Sequence, residues 1–230
     1  AIAPPILGDL LPINGVVTRN ISNDRMVVAI QYGSPAPGSP LIAPGTSEYE
    51  FNYQAPSVHI YRSLETVAIY AAGGGTVDSG LFAHAIHVPG PGKEPEGVDL
   101  SPGNTTNVWT YTLAGKPSLA YEALVEGMMG CVNSVPFKGR PVGSMRLVMC
   151  VSNTIGGNRT VIRFGFQYEA NATNIQVGPG LVVPQKRGHD YLWVQYEQVK
   201  NVGQNLIVPK ARYACLERVY RYENLNQLGV

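Results

Sequence analysis

The sequence predicts an all-β protein with one short helix. Only 14% of its 230 residues are charged, whereas 26 are glycine and 18 are proline, a bias that is typical of short strands joined by many turns. Apolar and polar residues alternate most clearly along residues 160–169, where Ile162, Phe164 and Phe166 fall on one face and Arg163 on the other. Because side chains alternate across a strand, this segment is predicted to be a long strand with one buried face.

The first part of the chain is predicted to begin with an arm and to continue with short strands. Residues 1–20 carry apolar side chains and prolines in neither a helical nor a strand period, so we expect an extended segment laid over another surface. Residues 25–32 alternate as a strand, and residues 33–45, which are rich in Pro, Gly and Ser, are expected to form a loop. Further strands are expected at residues 47–53 and 58–62.

Two β-hairpins are predicted further along the chain. The first joins residues 61–70 to residues 81–88 across a glycine-rich turn, and the second joins residues 144–152 to residues 160–169 across a turn at residues 156–158. In both, strand-like runs are separated by turn-forming residues, which is the pattern of a hairpin.

One helix is predicted, from Ser118 to Gly127. Ser118 is a suitable N-cap residue, and Gly127 can end the helix. In helical geometry Leu119, Ala123 and Leu124 would share one face, so this face is expected to be the buried one.

The remaining segments are predicted as one loop and several strands. Residues 89–102 are rich in Pro and Gly, so a long exposed loop is expected there. Short strands are expected at residues 108–113 and 132–137, on either side of the helix. Residues 191–200 and 212–222 also look strand-like, with Pro-containing breaks between them.

The order of these segments resembles the coat proteins of small icosahedral RNA viruses. A Tyr-Arg-x-Leu strand at residues 61–64 is followed by a glycine-rich turn and a Gly-Leu-Phe-Ala return at residues 80–83. A short helix, a Val-Pro connection and a long closing hairpin come next. The resemblance covers roughly residues 25–170, and it extends to tymovirus-, sobemovirus- and picornavirus-like shells.

The resemblance implies an eight-stranded antiparallel jelly-roll sandwich with one short helix and extended N- and C-terminal arms. The expected division is an N-terminal arm over residues 1–22, a shell domain over residues 23–172 and a C-terminal extension over residues 173–230. The extension would add strands or wrap a neighbouring subunit.

The function that the resemblance implies is structural. Many copies of the chain, with or without other capsid subunits, would assemble into the shell of a virion that encloses a viral RNA genome, without catalysis or cofactors. The resemblance identifies no host receptor. The Arg/Lys-rich arm of many such coats is missing, so weak, non-specific RNA contact is expected. Paired aspartates do not follow Val88, so interface calcium is not expected either.

A secreted glycan-binding or cell-surface β-sandwich is the alternative, because it shares the same composition. Net charge is +1, which gives no field to steer a partner, and no apolar run is long enough to span a membrane. Three cysteines, at least one of them unpaired, are too few for a disulfide framework: Cys131, Cys150 and Cys215. Four Asn-x-Ser/Thr triplets are candidate glycosylation sites, at Asn20, Asn104, Asn158 and Asn171.

A metal site is not predicted. His84 and His87, followed by Glu94 and Glu96, invite that interpretation. Two residues three apart on a strand point to opposite faces, however, so they cannot hold one ion from regular β geometry.

Two turns carry the candidate nucleic-acid or interface residues: Lys138, Arg140, Lys186 and Arg187. The second turn continues into His189 and Asp190, a pair that suggests acid–base chemistry, but no Ser or Cys has an activating context. No catalytic site is therefore predicted. The turn is expected to be solvated, with a phosphate-contacting patch as the alternative.

Overall fold

The structure, a computed structural model, describes residues 11–22, 25–33, 51–77, 82, 84–90, 92–155, 159–201, 203 and 206–230, with side-chain environments described from residue 51 onward. Its contacts divide the chain into two units. One comprises Ala1–Glu48 and Ile155–Gly157, and the other comprises Tyr49–Thr154 and Asn158–Val230. The division near residue 48 differs from the expected boundaries at residues 22 and 172.

The smaller unit contains an antiparallel hairpin of β1 (Leu11–Ser22) and β2 (Arg25–Gly33). The strand predicted at residues 25–32 is confirmed. Residues 11–20 were expected to be an arm without strand structure, and this expectation is wrong, since they pair with β2. The ladder has register shifts at three places, and such bulges interrupt the alternation by which a strand is recognised in a sequence. Of the loop predicted at residues 33–45, Gly33 is the last residue of β2, and residues 34–45 lie outside the described residues.

The larger unit confirms the all-β class, with one α-helix in the described residues. Its elements are β3 (Asn52–Gln54), β4 (Val58–Ile60), β5 (Glu65–Ala71), β6 (Thr76–Val77), β7 (Val98–Leu100), β8 (Asn107–Ala114), α1 (Leu119–Met128), β9 (Val132–Asn133), β10 (Met145–Ile155), β11 (Arg159–Tyr168), β12 (Ala172–Gly178), β13 (Leu181–Lys186), β14 (Tyr191–Asn201), β15 (Leu206–Arg218), β16 (Tyr222–Glu223) and a 3-10 helix (Leu225–Leu228).

A six-stranded sheet contains the predicted second hairpin. Its strand order is β16-β9-β10-β11-β8, and β3 pairs with β10 as well. The strands predicted at residues 144–152 and 160–169 are confirmed as β10 and β11, while the turn at residues 156–158 lies outside the described residues. Phe164 lies opposite Trp109 in the β8–β11 ladder, and β16 pairs with β9 in the parallel sense.

The core of this sheet lies on the predicted face of β11. Ile162, Phe164 and Phe166 are fully buried, whereas Arg163 is exposed. The 3-10 helix adds Leu225 and Leu228 to the same core cluster. The alternation along residues 160–168 therefore identified the buried face correctly.

Helix α1 is confirmed, but its buried face is not the predicted one. The Ser118 side chain caps the helix by accepting a hydrogen bond from the backbone N–H of Tyr121 at 3.2 Å. Leu119 is 83% exposed, and Val125 and Met128 are the buried residues. Leu119 occupies the first helical position, whereas Val125 and Met128 belong to the later turns and to the core cluster that contains Phe164.

The predicted first hairpin is confirmed only near its start, where Arg62 and Ala85 form an antiparallel bridge, and a four-stranded sheet takes over beyond it. Its order is β14-β15-β5-β6, so the long partner of β5 is β15 and not residues 81–88. Within the described residues after β6, His84 and His87 have φ values of 68° and 53°. Left-handed backbone at these positions is incompatible with a regular strand, and the described part of the predicted return strand is therefore irregular.

Residues after 172 add strands to this second sheet, which is one of the two arrangements expected for the C-terminal extension. Trp193 of β14 and Cys215 of β15 share a core cluster with Ile69 of β5. In a separate core cluster, Leu181 of the β12–β13 hairpin packs with Ala214 of β15. In addition, β7 pairs with β4, which places a short strand inside the segment that was predicted to be a loop.

Candidate functional site

A polar cleft of about 300 Å³ lies where β10, β11 and the turn after β13 meet. Arg146 comes from β10, Gln167 from β11, and Tyr220 from the segment after β15. The turn is held close to β11 because Gly188 packs against the chain there: a Cβ at this position would lie 2.0 Å from the carbonyl oxygen of Glu169. Only glycine fits at that distance. Because the turn approaches β11 so closely, the next two residues, His189 and Asp190, lie in the protein interior.

The turn at residues 186–190 is half-buried at Lys186 and Arg187 and fully covered from Gly188 to Asp190, which corrects the prediction of a solvated turn. His189 and Asp190 are 5% and 4% exposed. Backbone hydrogen bonds fix them, since the N–H of His189 donates to the carbonyl of Gly143 at 3.1 Å. A run of Lys, Arg, His and Asp is typical of solvent-facing turns, and it contains no signal of the tertiary contacts that cover this one.

His189 is held as a neutral imidazole. Burial lowers its pKa from 6.5 to about 4, and the carboxylate of Glu169 opposes that shift only in part. The ring Nδ1 lies 3.8 Å from Glu169 Oε2, and Nε2 lies 3.3 Å from the carbonyl oxygen of Gln167. At neutral pH this side chain contributes hydrogen-bonding groups to the cleft and no charge.

Asp190 has its own hydrogen-bond donor. The hydroxyl of Tyr222 donates to Asp190 Oδ1 at 2.9 Å. Burial raises the pKa of Asp190, while this hydrogen bond and the positive charge of Arg218 act in the opposite direction. His189 and Asp190 therefore have separate partners and do not form a relay.

Arg146 is the most unusual residue of the cleft, because its cationic side chain is 3% exposed. Its Nη1 donates to the Ser101 carbonyl at 3.2 Å and to the Tyr220 hydroxyl at 3.0 Å, and its Nη2 donates to the same carbonyl at 3.3 Å. The guanidinium carbon lies 3.9 Å from the Tyr220 ring centroid. Within the described residues, Arg146 Nε has no hydrogen-bond partner. Burial lowers the pKa of this guanidinium.

The four predicted basic residues lie on two turns that meet the end of β11. Lys186 Nζ lies 3.3 Å from Glu169 Oε1, and the Arg187 guanidinium is 5.6 Å from the Tyr222 ring centroid. Lys138 and Arg140 are exposed on the other turn, where the Arg140 guanidinium lies 4.2 Å from the centroid of the Tyr168 ring. Sequence patterns did not identify Arg146, which is also basic but more deeply buried. It lies between the apolar residues Met145 and Leu147, and this alternation is typical of a strand residue that points to solvent.

The candidate glycosylation sites differ in their surroundings. Asn104 is exposed. The Asn171 amide is used in the fold, since its Nδ2 donates to the Val142 carbonyl at 3.1 Å and its Oδ1 accepts from the Gly188 N–H at 2.8 Å. Asn158 lies outside the described residues, as does the side chain of Asn20. All four remain predictions.

The histidines that were weighed as metal ligands have other contacts. His87 Nε2 lies 2.7 Å from the Tyr191 hydroxyl. Across the described ranges, no group of three His, Cys, Asp or Glu side chains is placed to hold a metal ion.

Cys131, Cys150 and Cys215 are free and buried, and burial raises the pKa of Cys150 to about 12. None of the helices in the described part of the chain has the length and apolarity to cross a membrane.

An exposed apolar surface occupies the part of the β14–β15 hairpin that does not pair with β5, which we call the far half of the hairpin. Ile207 is 68% exposed, and Leu206, Val208 and Tyr196 are exposed as well. β15 pairs with β5 only from Tyr213 to Arg218, so residues 206–211 have β14 as their strand partner among the described residues. Pro209 was expected to break a strand here, and the structure contradicts this, because an unpaired strand edge tolerates a residue without an N–H.

An aromatic cleft of about 440 Å³ lies beside this hairpin. Phe82, Tyr196 and Tyr213 contribute aromatic walls. At its polar side, Arg212 Nη1 lies 3.6 Å from Glu197 Oε2. The combination of flat apolar rings and a charged pair can accept a ligand that has both apolar and hydroxylated faces.

No protein-family profile, characterised protein or solved structure matches this chain. Its function must therefore be argued from the residues themselves.

Proposed function

We propose that this chain is a structural protein that assembles with copies of itself, and that the assembly is the icosahedral shell of a virion enclosing a viral RNA genome. The observation that carries this proposal is the far half of the β14–β15 hairpin. It presents a strand edge that is unpaired among the described residues, together with exposed apolar side chains at Leu206, Ile207 and Val208.

Another copy of the chain can satisfy both features at once. A strand added along residues 206–211 would supply backbone hydrogen bonds, and its side chains would cover the apolar ones. Apolar surface removed from water contributes about 25 cal/mol per Å². The net charge of +1 sets up little repulsion between copies, so close packing of many subunits is electrostatically inexpensive.

The eight-stranded jelly roll is part of the same proposal. Antiparallel pairing of the long strands β8, β10 and β11, with one α-helix between β8 and β10 in the chain, supports it. An experimental structure of the assembled particle tests it. Strands that keep to the two separate sheets described above, without jelly-roll connections, would overturn this finer assignment while leaving self-assembly in place.

The experiment for assembly compares two substitutions of exposed leucine or isoleucine by lysine. Ile207→Lys places a charge on the proposed contact, and Leu119→Lys places the same charge at the exposed start of α1. Light scattering and negative-stain microscopy should show large particles for the wild-type chain and for Leu119→Lys. Ile207→Lys should give free subunits. A wild-type chain that remains monomeric at high concentration, or equal assembly of both variants, would show the proposal to be wrong.

A glycan-binding β-protein is the second candidate, and the aromatic cleft favours it. Stacking of sugar faces on Tyr196 and Tyr213, with hydroxyl groups bonded to Glu197 and Arg212, is the recognition that this cleft supports. Binding of an oligosaccharide by isothermal titration should be lost in Tyr196→Ala and kept in Tyr61→Ala, whose tyrosine is exposed outside the cleft. Oligosaccharide binding by Tyr196→Ala with unchanged affinity would exclude this cleft as the glycan site.

A further inference from the structure

We propose that Arg146 is the centre of a binding site for a small organic acid, whose carboxylate pairs with the guanidinium and whose short apolar body lies in the neighbouring cleft. The proposal is independent of self-assembly. It rests on two observations. The buried guanidinium has N–H groups without hydrogen-bond partners in the described residues, and a polar cleft and an apolar cleft meet at this residue.

The first step is the charge of Arg146, which lacks an acidic partner in the described residues. The ion pairs found there involve other side chains, and no carboxylate lies within 4.0 Å of this guanidinium. Its hydrogen bonds go to the neutral oxygens of Ser101 and Tyr220. A buried charge is stabilised mainly by an opposite charge or by full hydrogen bonding, and here neither condition is met.

The second step is that the negative groups of the cleft are already engaged. Glu169 lies within ion-pair distance of Lys186 at 3.3 Å. Asp190 accepts the Tyr222 hydroxyl hydrogen bond at 2.9 Å. His189 is neutral because burial depresses its pKa. The positive charge of Arg146 is thus left for a ligand to neutralise.

The third step is the geometry of the donors. A guanidinium has five N–H groups arranged as a planar fork that matches a carboxylate. Three hydrogen bonds are made by Nη1 and Nη2, and Nε is without a partner within the described residues. One N–H on Nη2 and the N–H on Nε therefore remain, and these two lie on the same edge of the fork, where a carboxylate binds in the bidentate manner.

The fourth step is the apolar surface on the other side of Arg146. A second cleft, of about 400 Å³, shares Arg146, Leu100 and Tyr220 with the polar one. Val58, Ile60 and Leu64 form its apolar wall. An acid bound at the guanidinium would therefore have room beside it for a body of a few carbon atoms, removed from water.

The experiment titrates the full chain with three probes at pH 7, using NMR chemical shifts: hexanoate, hexan-1-ol and inorganic phosphate. Hexanoate should bind about tenfold or more tightly than hexan-1-ol, because only the acid makes charge-assisted hydrogen bonds. It should also bind more tightly than phosphate, which has no apolar body. Equal binding of hexanoate and hexan-1-ol, binding of phosphate as tight as that of hexanoate, or no binding of hexanoate would each overturn the proposal.

Two matched variants keep the test informative. Leu64 is 56% exposed, so Leu64→Glu should fold and should weaken hexanoate binding about tenfold by repelling its charge in the apolar cleft. Leu119→Glu introduces the same charge at an exposed position that lines neither cleft, and should leave binding within about twofold. Arg146→Met should abolish the difference between hexanoate and hexan-1-ol. If Arg146→Met fails to fold, the Leu64 and Leu119 pair decides, and equal binding by these two variants would overturn the site.

Discussion

At the scale of single residues, His189 should make the stability of the protein depend on pH. Its pKa is about 4 in the folded chain and 6.5 ordinarily, so between these values the unfolded chain binds a proton that the folded chain does not. Stability from this residue is present above pH 6.5 and is lost as the pH falls towards 4. The shift corresponds to at most about 3 kcal/mol. Urea unfolding from pH 7 to pH 4 should show the loss, and His189→Gln should reduce it.

The quantity to compare at each pH is the difference in unfolding free energy between wild type and His189→Gln. The total stability alone is not sufficient, because Glu217 changes it with pH in the opposite direction. This carboxyl group is fully buried and accepts hydrogen bonds from Ser63 Oγ at 2.6 Å and Thr66 Oγ1 at 2.9 Å. Burial nevertheless raises its pKa above 4.5, so its contribution is present at low pH and is lost as the pH rises. An unchanged difference between wild type and His189→Gln from pH 7 to pH 4 would contradict the assignment of a neutral, buried His189.

At the scale of elements, the buried and exposed faces of β11 should respond very differently to mutation. Phe164→Ala removes a fully buried ring and should lower the free energy of unfolding by about 3–5 kcal/mol. Arg163→Ala, one position away on the exposed face, should change it by about 0.3 kcal/mol. Chemical denaturation measures both values. Comparable losses for the two variants would mean that the face assignment of β11 is wrong.

Arg163 is a better control than Gln167, although strand alternation puts both residues on the outer face of β11. Gln167 Oε1 is buried and has no hydrogen-bond partner within the described residues. A Cβ at Gly103 would lie 2.4 Å from that oxygen, which shows how closely the backbone of residue 103 approaches. The end of β11 therefore enters the polar cleft, where Gln167 is half-buried.

The elements that sequence patterns predicted are those whose evidence is local. The alternation along Ile162, Phe164 and Phe166 and the N-cap at Ser118 are contained in a few consecutive residues, and both are confirmed. The choice of β15 as the partner of β5 was not predictable in this way. The predicted partner, residues 81–88, has an apolar pattern of its own and does bridge Arg62 through Ala85. The left-handed backbone at His84 and His87 shows that it does not continue as a regular strand along β5.

The candidate site was predicted in part for the same reason. Lys186 and Arg187 stood out as a charged cluster, and Lys186 does line the cleft. The burial of His189 depends on Gly188 packing against the carbonyl of Glu169, and this contact joins two turns. Arg146 had no local signal of its own, because burial of a strand residue depends on what lies over the sheet.

At the scale of the whole molecule, residues 173–230 should be necessary for folding. They supply Trp193 and Cys215 to one core cluster and Leu225 and Leu228 to another. A chain that ends at residue 172 should therefore show neither a cooperative thermal transition nor the near-ultraviolet circular dichroism of packed aromatic rings.

The control for this truncation shortens only the exposed hairpin. Removing residues 200–207 and joining the strands through Asn-Gly leaves the β5–β15 ladder intact, and an Asn-Gly turn suits a two-residue hairpin connection. This variant should melt cooperatively, with a loss of assembly if the hairpin is the contact between copies. Cooperative folding of the chain that ends at residue 172 would contradict the structural role assigned to the later strands.

The pairing of β5 with β15 also determines when the protein can fold during its synthesis. Ser63 and Glu217, which meet in the folded chain, are 154 residues apart. At translation rates of about 5–20 residues per second, β5 waits roughly 8 to 30 seconds for its partner to be made. During that interval Ile69, which is fully buried in the finished sheet, has no native neighbour on β15. The nascent chain thus exposes an aggregation-prone strand on the ribosome, and a chaperone that binds extended apolar segments has its natural target there.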